Sequence, residues 1–159
     1  MLTIRPARPS DAETLSALAF RSKACWGYTA EFMEACRAEL TYAAKELRSD
    51  RFQFAVGEQS GVCVGFYAVE KTAEDEAELV ALFVEPAHIG KGCGRMLMEH
   101  AKRVAGALGA SRMIVQGDPN AERFYLAAGG HLIGTRESAS IEGRFLPLYA
   151  IELDTERGE

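Results

Sequence analysis

The chain has 159 residues, of which 48% are hydrophobic and 26% charged, a balance typical of one soluble globular domain. Its net charge of -5 argues against a broad basic surface for nucleic acid and mildly favours a cationic substrate such as an amine. No apolar run reaches the ~20 residues that a membrane span needs, and residues 1–13 lack the apolar core of a signal peptide. We therefore expect a cytoplasmic protein without membrane or nucleic-acid partners.

The first predicted elements are a strand over residues 2–7 and a helix over residues 9–24. Ser10 is predicted to cap this helix, with Glu13 completing a capping box. A second helix, capped by Thr29, is predicted to run to about residue 47 because apolar residues recur there at helical spacing.

The middle of the chain is predicted to consist of strands. Residues 51–58 and 62–70 read as a β-hairpin around the turn 59–61, which contains glycine. Residues 77–86 form a nearly continuous apolar run, which is typical of a strand covered on both faces. A helix over residues 92–108 follows.

The C-terminal part begins with a buried strand over residues 111–117 and a short helix over residues 120–129. Two strands, 131–137 and 145–153, are predicted to flank the turn 138–144. The complete order, β-α-α-β-β-β-α-β-α-β-β, indicates a single α/β domain over the whole chain, residues 1–159.

The four cysteines stand at positions 25, 36, 63 and 93 and include no C-x-x-C pair. Such spacing favours neither a zinc site nor a thioredoxin-like redox pair, so we interpret the cysteines as reduced thiols and expect no metal.

Three glycines, Gly90, Gly92 and Gly94, lie between the apolar strand and the helix that follows it. The start of a helix presents unpaired N–H groups and the positive end of the helix dipole, and glycines let an anion approach them. Lys91 and Arg95 add positive charge. The segment is therefore predicted to bind phosphate, although it matches neither the P-loop nor the dinucleotide pattern. A flexible connector is the alternative.

The surrounding segment, VEPAHIGKGCGRMLMEHA, resembles the acetyl-CoA-binding segment of the GNAT superfamily of N-acetyltransferases. Val84, Pro86, Gly92 and Gly94 match the family pattern. Ile89 stands where the family usually has glutamine or arginine, so we expect less side-chain help at the pyrophosphate but no loss of binding.

A second segment, DPNAERFYLAAGGHLIG, resembles another stretch of the same family. Asn120, Tyr125 and Gly129 match, while Gly130 stands where an aromatic residue or alanine is more usual. The resemblance covers about residues 2–153. It implies a GNAT-like fold, with a mixed, mostly antiparallel sheet of about seven strands and helices on both faces.

The resemblance implies acetyl-CoA as co-substrate, direct acetyl transfer to a primary amine of a small molecule or peptide, and a set of binding residues. Leu82, Phe83 and Val84 would pair with the pantetheine arm through their backbone, and Asn120 would bind it through its side chain. The predicted pyrophosphate loop comprises Ile89, Gly90, Lys91, Gly92, Cys93, Gly94 and Arg95.

Two catalytic roles are predicted. Glu78 is the candidate base, because a carboxylate on an otherwise apolar strand suits proton transfer from an amine. By strand alternation it is expected to share a face with Val80, Leu82 and Val84. Glu70 is the reserve. A strand-end glutamate in solvent is the alternative. By the resemblance, Tyr125 is the acid that protonates the departing thiolate, although a core tyrosine would fit the same pattern.

The sequence gives weaker signals for the residues that would bind the acceptor, the amine that receives the acetyl group. Trp26 and Tyr28 lie in the connection that borders the acceptor pocket in this family, and Arg144 lies in SIEGRFLP, where it could hold an acidic group of the acceptor. A packing contact between helices and a solvated arginine are the respective alternatives.

Three questions stay open at this stage. A non-catalytic CoA-binding sensor or partner-binding module would share the fold, and an ATP-binding protein is a weaker alternative. The sequence does not name the amine or the length of the acyl group. An exposed sheet edge makes a homodimer a reasonable expectation.

Overall fold

The computed structural model describes residues 2–153, which form seven strands and five α-helices in the predicted order, except that the second helix is divided. The strands are β1 Leu2–Pro6, β2 Phe52–Gln59, β3 Val62–Ala73, β4 Glu76–Val84, β5 Arg112–Gln116, β6 Gly130–Glu137 and β7 Phe145–Glu152. The helices are α1 Ala12–Ala24, α2 Ala30–Cys36, α3 Ala44–Arg48, α4 Cys93–Ala107 and α5 Glu122–Ala127. The predicted single-domain α/β fold is confirmed; its stated bounds, 1–159, extend beyond the described residues.

The seven strands form one sheet in the order β1-β2-β3-β4-β5-β7-β6. Every neighbouring pair is antiparallel except β4 and β5, which α4 connects as a crossover. The edge strands are β1 and β6, and the expected homodimer stays a prediction. Within residues 2–153, no helix combines the length and apolar composition that crossing a bilayer requires.

Each face of the sheet is covered by helices, as predicted, because each strand alternates its side chains between two cores. The α4-side core includes Leu79, Leu97, Met98 and Met113. The α1-side core includes Leu15, Leu18, Val56 and Phe66.

The start of the first helix differs from the prediction. Ser10 lies inside a 3₁₀ turn, Pro9–Asp11, and α1 begins after it, so the predicted Ser10 cap is wrong. The Asp11 carboxylate instead accepts the Arg8 N–H at 2.7 Å and bonds the Arg5 guanidinium at 2.9 and 3.1 Å. Asp11 is therefore held both by the backbone at the start of the turn and by Arg5 on β1.

The second predicted helix begins as expected, because the Thr29 hydroxyl accepts the Phe32 N–H at 3.1 Å. It does not continue to residue 47, because the chain leaves the helix after α2 and resumes as α3. Between them the Tyr42 N–H donates to the Ser16 hydroxyl at 2.8 Å, and the Tyr42 ring packs edge-on against Phe66 at 5.6 Å. Docking of this connection on α1 and the sheet therefore overrides helical periodicity.

Candidate active site

The sheet opens where β4 and β5 separate. Their parallel pairing covers only Glu76 to Glu78 on β4, and Ile114 is the last partner on β5. The register between β3 and β4 shifts so that Val80 is the extra residue of a β-bulge. Beyond this bulge β4 pairs with β3 alone among the described strands, so the backbone groups on its other side face a gap.

The bulge also changes the orientation of Glu78. Leu79, Leu82 and Val84 all pack in the α4-side core. Glu78 directly precedes Leu79, and adjacent residues of a strand point to opposite faces of the sheet. Glu78 therefore points to the α1 side, and the expectation that it shares a face with Val80, Leu82 and Val84 is wrong. The extra residue at Val80 reverses the alternation along the strand.

Glu78 lies beside the second candidate base. Glu70 stands directly opposite it on β3, so the two side chains are cross-strand neighbours on one face. Glu78 Oε2 lies 2.8 Å from Nη1 of Arg136, and Glu70 Oε2 lies 2.5 Å from Nε of Arg51. The side chains are 20% and 16% exposed, respectively, so an acceptor on the α1 side can reach either carboxylate.

The glycine loop follows β4 directly and leads into α4. Gly90 and Gly92 have left-handed backbones, with φ of 84° and 87°, a conformation that glycine adopts without strain. Gly94 keeps the loop close to α5, because a Cβ there would lie 3.1 Å from Phe124 Cε1 and the ring would have to shift. The first bond of α4 runs from the Met96 N–H to the Gly92 carbonyl, which leaves the earlier N–H groups of the helix without helical acceptors.

The side chains of the loop contribute charge but no evident nucleophile. Lys91 and Arg95 are exposed, and neither forms an ion pair with a described residue. Ile89 is exposed as well. Cys93 is buried, and burial raises the pKa of its thiol, which argues against a covalent role.

These residues fit coenzyme A. The open backbone edge of β4 can pair with an extended amide-containing arm, and β4 runs directly into a loop whose N–H groups and cations suit a pyrophosphate. Val84 is buried and Leu82 and Phe83 are half-buried, so their backbone rather than their side chains is available.

Tyr125 lies in the α4-side core at the C-terminal end of β5. Its ring stacks on Tyr149, with centroids 5.6 Å apart, and Gly117 makes room for it, since a Cβ there would lie 2.8 Å from the ring. Burial, aided by the nearby Asp118 carboxylate, raises the pKa of Tyr125. Its hydroxyl makes no hydrogen bond to a residue in the described range, so a protonated donor is held without a protein partner.

Asn120 takes part in a network that joins the turn before α5 to the connection between α1 and α2. Its side-chain amide donates to Asp118 Oδ1 at 2.9 Å and to the Tyr28 hydroxyl at 3.1 Å. Asp118, rather than Asn120, caps the turn at Pro119, because its carboxylate accepts the Asn120 N–H. Pantetheine binding by Asn120 stays a prediction.

Two of the three predicted acceptor residues come together. The Tyr28 hydroxyl donates to Asp118 Oδ2 at 2.7 Å and accepts from Arg144 Nη2 at 2.9 Å. Tyr28 stacks on Phe32, with ring centroids 4.2 Å apart, so it does not pair with Trp26. Trp26 is 44% exposed and lies outside this network.

The sequence analysis missed three charged residues of the site: Lys23, Asp118 and Arg136. Lys23 Nζ lies 3.2 Å from Asp118 Oδ2 and 5.2 Å from the centre of the Tyr28 ring. Burial alone would raise the pKa of Asp118, but hydrogen bonds from Asn120 and Tyr28 and the charge of Lys23 hold it below its usual value. Only Asp118 had a signal, since it directly precedes the Asn120 segment.

The comparisons with known proteins agree with this geometry. The sequence model of the acetyltransferase (GNAT) family matches residues 17–129, more than half of the chain. No curated protein sequence matches the chain.

Three solved structures have the same fold. PaiA N-acetyltransferase from Thermoplasma acidophilum, in complex with coenzyme A, gives a TM-score of 0.79 at 21% identity, covering 96% of this chain and 99% of that chain. A GCN5-related N-acetyltransferase from Rhodopseudomonas palustris gives 0.77 at 25% identity, covering 95% of each chain. YncA from Salmonella typhimurium, with its cofactor acetyl-CoA, gives 0.71 at 20% identity, covering 97% of this chain and 95% of that chain. With the family match, the separated strands and the glycine loop in agreement, the chain belongs to the GNAT family of acetyltransferases.

Proposed function

We propose that the chain, residues 1–159, is an acetyl-CoA-dependent N-acetyltransferase that moves an acetyl group directly to a primary amine of a small molecule or peptide. The observation that carries this proposal is the gap between β4 and β5, which continues into the left-handed glycine loop. Two of the compared structures were solved with coenzyme A or acetyl-CoA, which supports the same reading for this chain.

The coenzyme would be held mainly by backbone groups. The N–H groups from Gly92 to Arg95 would bind the pyrophosphate, with Lys91 and Arg95 adding charge. The free edge of β4 at Leu82 and Val84 would bind the pantetheine arm as an added strand, with Asn120 as a side-chain partner. When bound, the coenzyme supplies the activated acetyl thioester.

Glu78 is the proposed base. A lysine-like amine has a pKa of ~10.4 in water, so its proton must be accepted before it can attack at neutral pH. The Glu78 carboxylate points to the α1 side, where the Tyr28 network also lies, and the Arg136 guanidinium orients it. Glu70, directly opposite on β3, is the alternative base.

Tyr125 is the proposed acid. Its raised pKa keeps the Tyr125 hydroxyl protonated at neutral pH, so a proton is at hand for the departing thiolate as the C–S bond breaks, and solvent then returns a proton to the tyrosine. The absence of a described hydrogen-bond partner leaves the Oη proton available for this transfer.

A melting experiment tests the proposal. Acetyl-CoA at about 100 times its Kd should stabilise the folded protein by about 2.7 kcal/mol, which is several degrees in Tm. An amine panel followed by CoA release then tests turnover. Purified, folded protein that acetyl-CoA does not stabilise would refute the proposal.

A non-catalytic CoA-binding protein is the second candidate. The observation in its favour is that Arg136 already occupies the Glu78 carboxylate. If it is correct, acetyl-CoA should stabilise the protein, no amine should cause CoA release, and Tyr125→Phe should not change coenzyme binding.

A further inference from the structure

We infer that the acceptor amine also carries a carboxylate, and that Arg144 binds it. This inference rests on the proposed function and names the substrate class of the same site. It begins from Arg144, which is half-buried where the β6–β7 connection enters β7.

Arg144 is positioned but not neutralised. Its guanidinium carbon lies 4.9 Å from the centre of the Phe32 ring and 5.4 Å from that of Tyr28, so the cation rests on an aromatic pair. Its hydrogen bond among the described residues goes from Nη2 to the uncharged Tyr28 hydroxyl. No carboxylate of residues 2–153 lies within ion-pair distance of Arg144. A planar guanidinium with free N–H groups suits a carboxylate, which it can bind with two parallel hydrogen bonds.

The neighbouring carboxylate cannot serve as the missing partner. Asp118 already bonds Lys23 Nζ at 3.2 Å, the Tyr28 hydroxyl at 2.7 Å and two N–H groups of Asn120. Two cations, Lys23 and Arg144, therefore face one anion. This local excess of positive charge occurs on a chain whose net charge is -5.

This cationic cluster lies at the proposed reaction centre. Asp118 follows β5 at the end of the gap, and it directly follows Gly117, where a Cβ would lie 2.8 Å from the Tyr125 ring. Tyr28 and Phe32 pack on the α1-side core, the face to which Glu78 also points. The acceptor would thus meet carboxylates, Glu78 and Glu70, at one part of this face and uncompensated positive charge at another.

Such a bipolar surface selects a bipolar ligand. The Glu78 and Glu70 carboxylates each pair with an arginine but keep oxygen lone pairs that can accept hydrogen bonds from an ammonium group. Lys23 and Arg144, with one carboxylate between them, repel a second ammonium group and attract an anion. A polyamine or simple alkylamine satisfies only the first requirement. An amino acid, or a peptide with an acidic group near its amine, satisfies both.

Matched pairs of acceptors test the inference directly. The pairs are L-phenylalanine with phenethylamine and L-lysine with cadaverine, which differ by a carboxylate, together with L-phenylalaninamide, in which the carboxylate is neutralised. A tripeptide with an acidic second residue separates a peptide acceptor from a free amino acid. We expect kcat/KM at least about tenfold higher for the carboxylate-bearing member, as a charged hydrogen bond of about 1.5–3 kcal/mol implies.

Arg144→Gln should remove this preference by raising KM for the carboxylate-bearing acceptor about 10- to 100-fold, leaving kcat/KM of the matched amine unchanged. Arg144→Lys keeps the positive charge but loses the paired N–H groups of the guanidinium. Its KM for the carboxylate-bearing acceptor should lie between those of the wild type and Arg144→Gln. Arg37→Gln is the control, because Arg37 also stacks on an aromatic ring, Phe20, and pairs with Glu34 on the outer face of α2.

The melting shift with acetyl-CoA separates the two proposals. An unchanged shift in Arg144→Gln shows that the variant folds and binds the coenzyme. If acetyl-CoA stabilises the wild type but the amines lacking a carboxylate react equally well or better, or no carboxylate-bearing amine reacts, the inference is overturned and coenzyme binding stands. If acetyl-CoA does not stabilise the wild type, both proposals fail.

Discussion

Glu78 and Arg136, 58 residues apart in the chain, form an ion pair with 2.8 Å between Oε2 and Nη1. The β5 and β7 strands lie between the strands that carry them, so the arginine reaches across the α1-side face of the sheet. The pair fixes a carboxylate beside the point where β4 leaves β5.

Replacing this carboxylate should separate chemistry from binding. Glu78→Gln keeps the shape of the side chain but removes the base, and we expect kcat to fall by about 10²- to 10⁴-fold. The acetyl-CoA melting shift should not change, because Glu78 points away from the coenzyme loop. Glu70→Gln is the matched control, since Glu70 is the cross-strand neighbour with its own arginine. A larger loss in Glu70→Gln would assign the base to Glu70.

Removing the Tyr125 hydroxyl should affect turnover without unfolding the protein. The ring is held by stacking on Tyr149 and by the space at Gly117, and Tyr125→Phe keeps both. We expect kcat to fall about 10²-fold or more, with Tm within a degree or two of the wild type. Because burial raises the pKa of Tyr125, wild-type kcat should show no loss from tyrosine ionisation up to pH 10. Full activity of Tyr125→Phe would reassign the acid.

The glycines of the loop should respond differently to alanine. Gly92→Ala places a Cβ on a left-handed residue and should cost about 1–2 kcal/mol of folding free energy. Gly94→Ala adds a Cβ at the start of α4 that would lie 3.1 Å from the Phe124 ring on α5, so that ring must shift. Both should weaken acetyl-CoA binding in calorimetric titration. The control is Gly106→Ala, in the last turn of α4 with open space around its Cβ. This change should stabilise the fold by up to roughly 0.5–1 kcal/mol and leave binding intact.

Mild acid should destabilise the protein through His100. Its Nδ1 shares a hydrogen bond of 2.7 Å with the buried Tyr67 hydroxyl beneath α4. Burial, together with Arg103, lowers the pKa of His100 from 6.5. The unfolded chain therefore binds this proton more readily than the folded one, so stability is full above about pH 6.5 and falls as the pH drops below it. Urea midpoints at pH 7.5 and 5.5 measure the effect, and His100→Gln should remove most of the difference. If His100→Gln loses as much stability between pH 7.5 and pH 5.5 as the wild type, the acid sensitivity belongs to other titratable groups.

Local patterns were sufficient for most of the fold. The alternation of apolar residues, the helical periodicity of α4 and the glycine turns predicted the strand and helix order because each depends on near neighbours. The exceptions were places where tertiary contacts compete with the local pattern: Asp11 rather than Ser10 bonds the backbone at the start of the first helix and pairs with Arg5, and Tyr42 docks on Ser16 where the second helix is divided.

The candidate site also has one part that local patterns predict and one part that they do not. The glycine loop could be recognised because its donors and glycines are contiguous in the chain. The orientation of Glu78 could not, because a single extra residue at Val80 reverses the alternation, and the register of β3 against β4 reveals that residue.

By itself, the sequence determined a glycine loop of the GNAT type ahead of a helix, the order of the strands and helices, and candidates for the base and the acid, because these follow from contiguous residues. Only the tertiary structure decided how the acceptor side is built. Tyr28, Asp118 and Arg144 come from three separate connections, and they meet because the sheet brings the ends of β5 and β7 beside the start of α2. Hydrogen bonds over such separations leave no local pattern, and so the positive charge of Lys23 and Arg144 around Tyr28 emerged only from the fold.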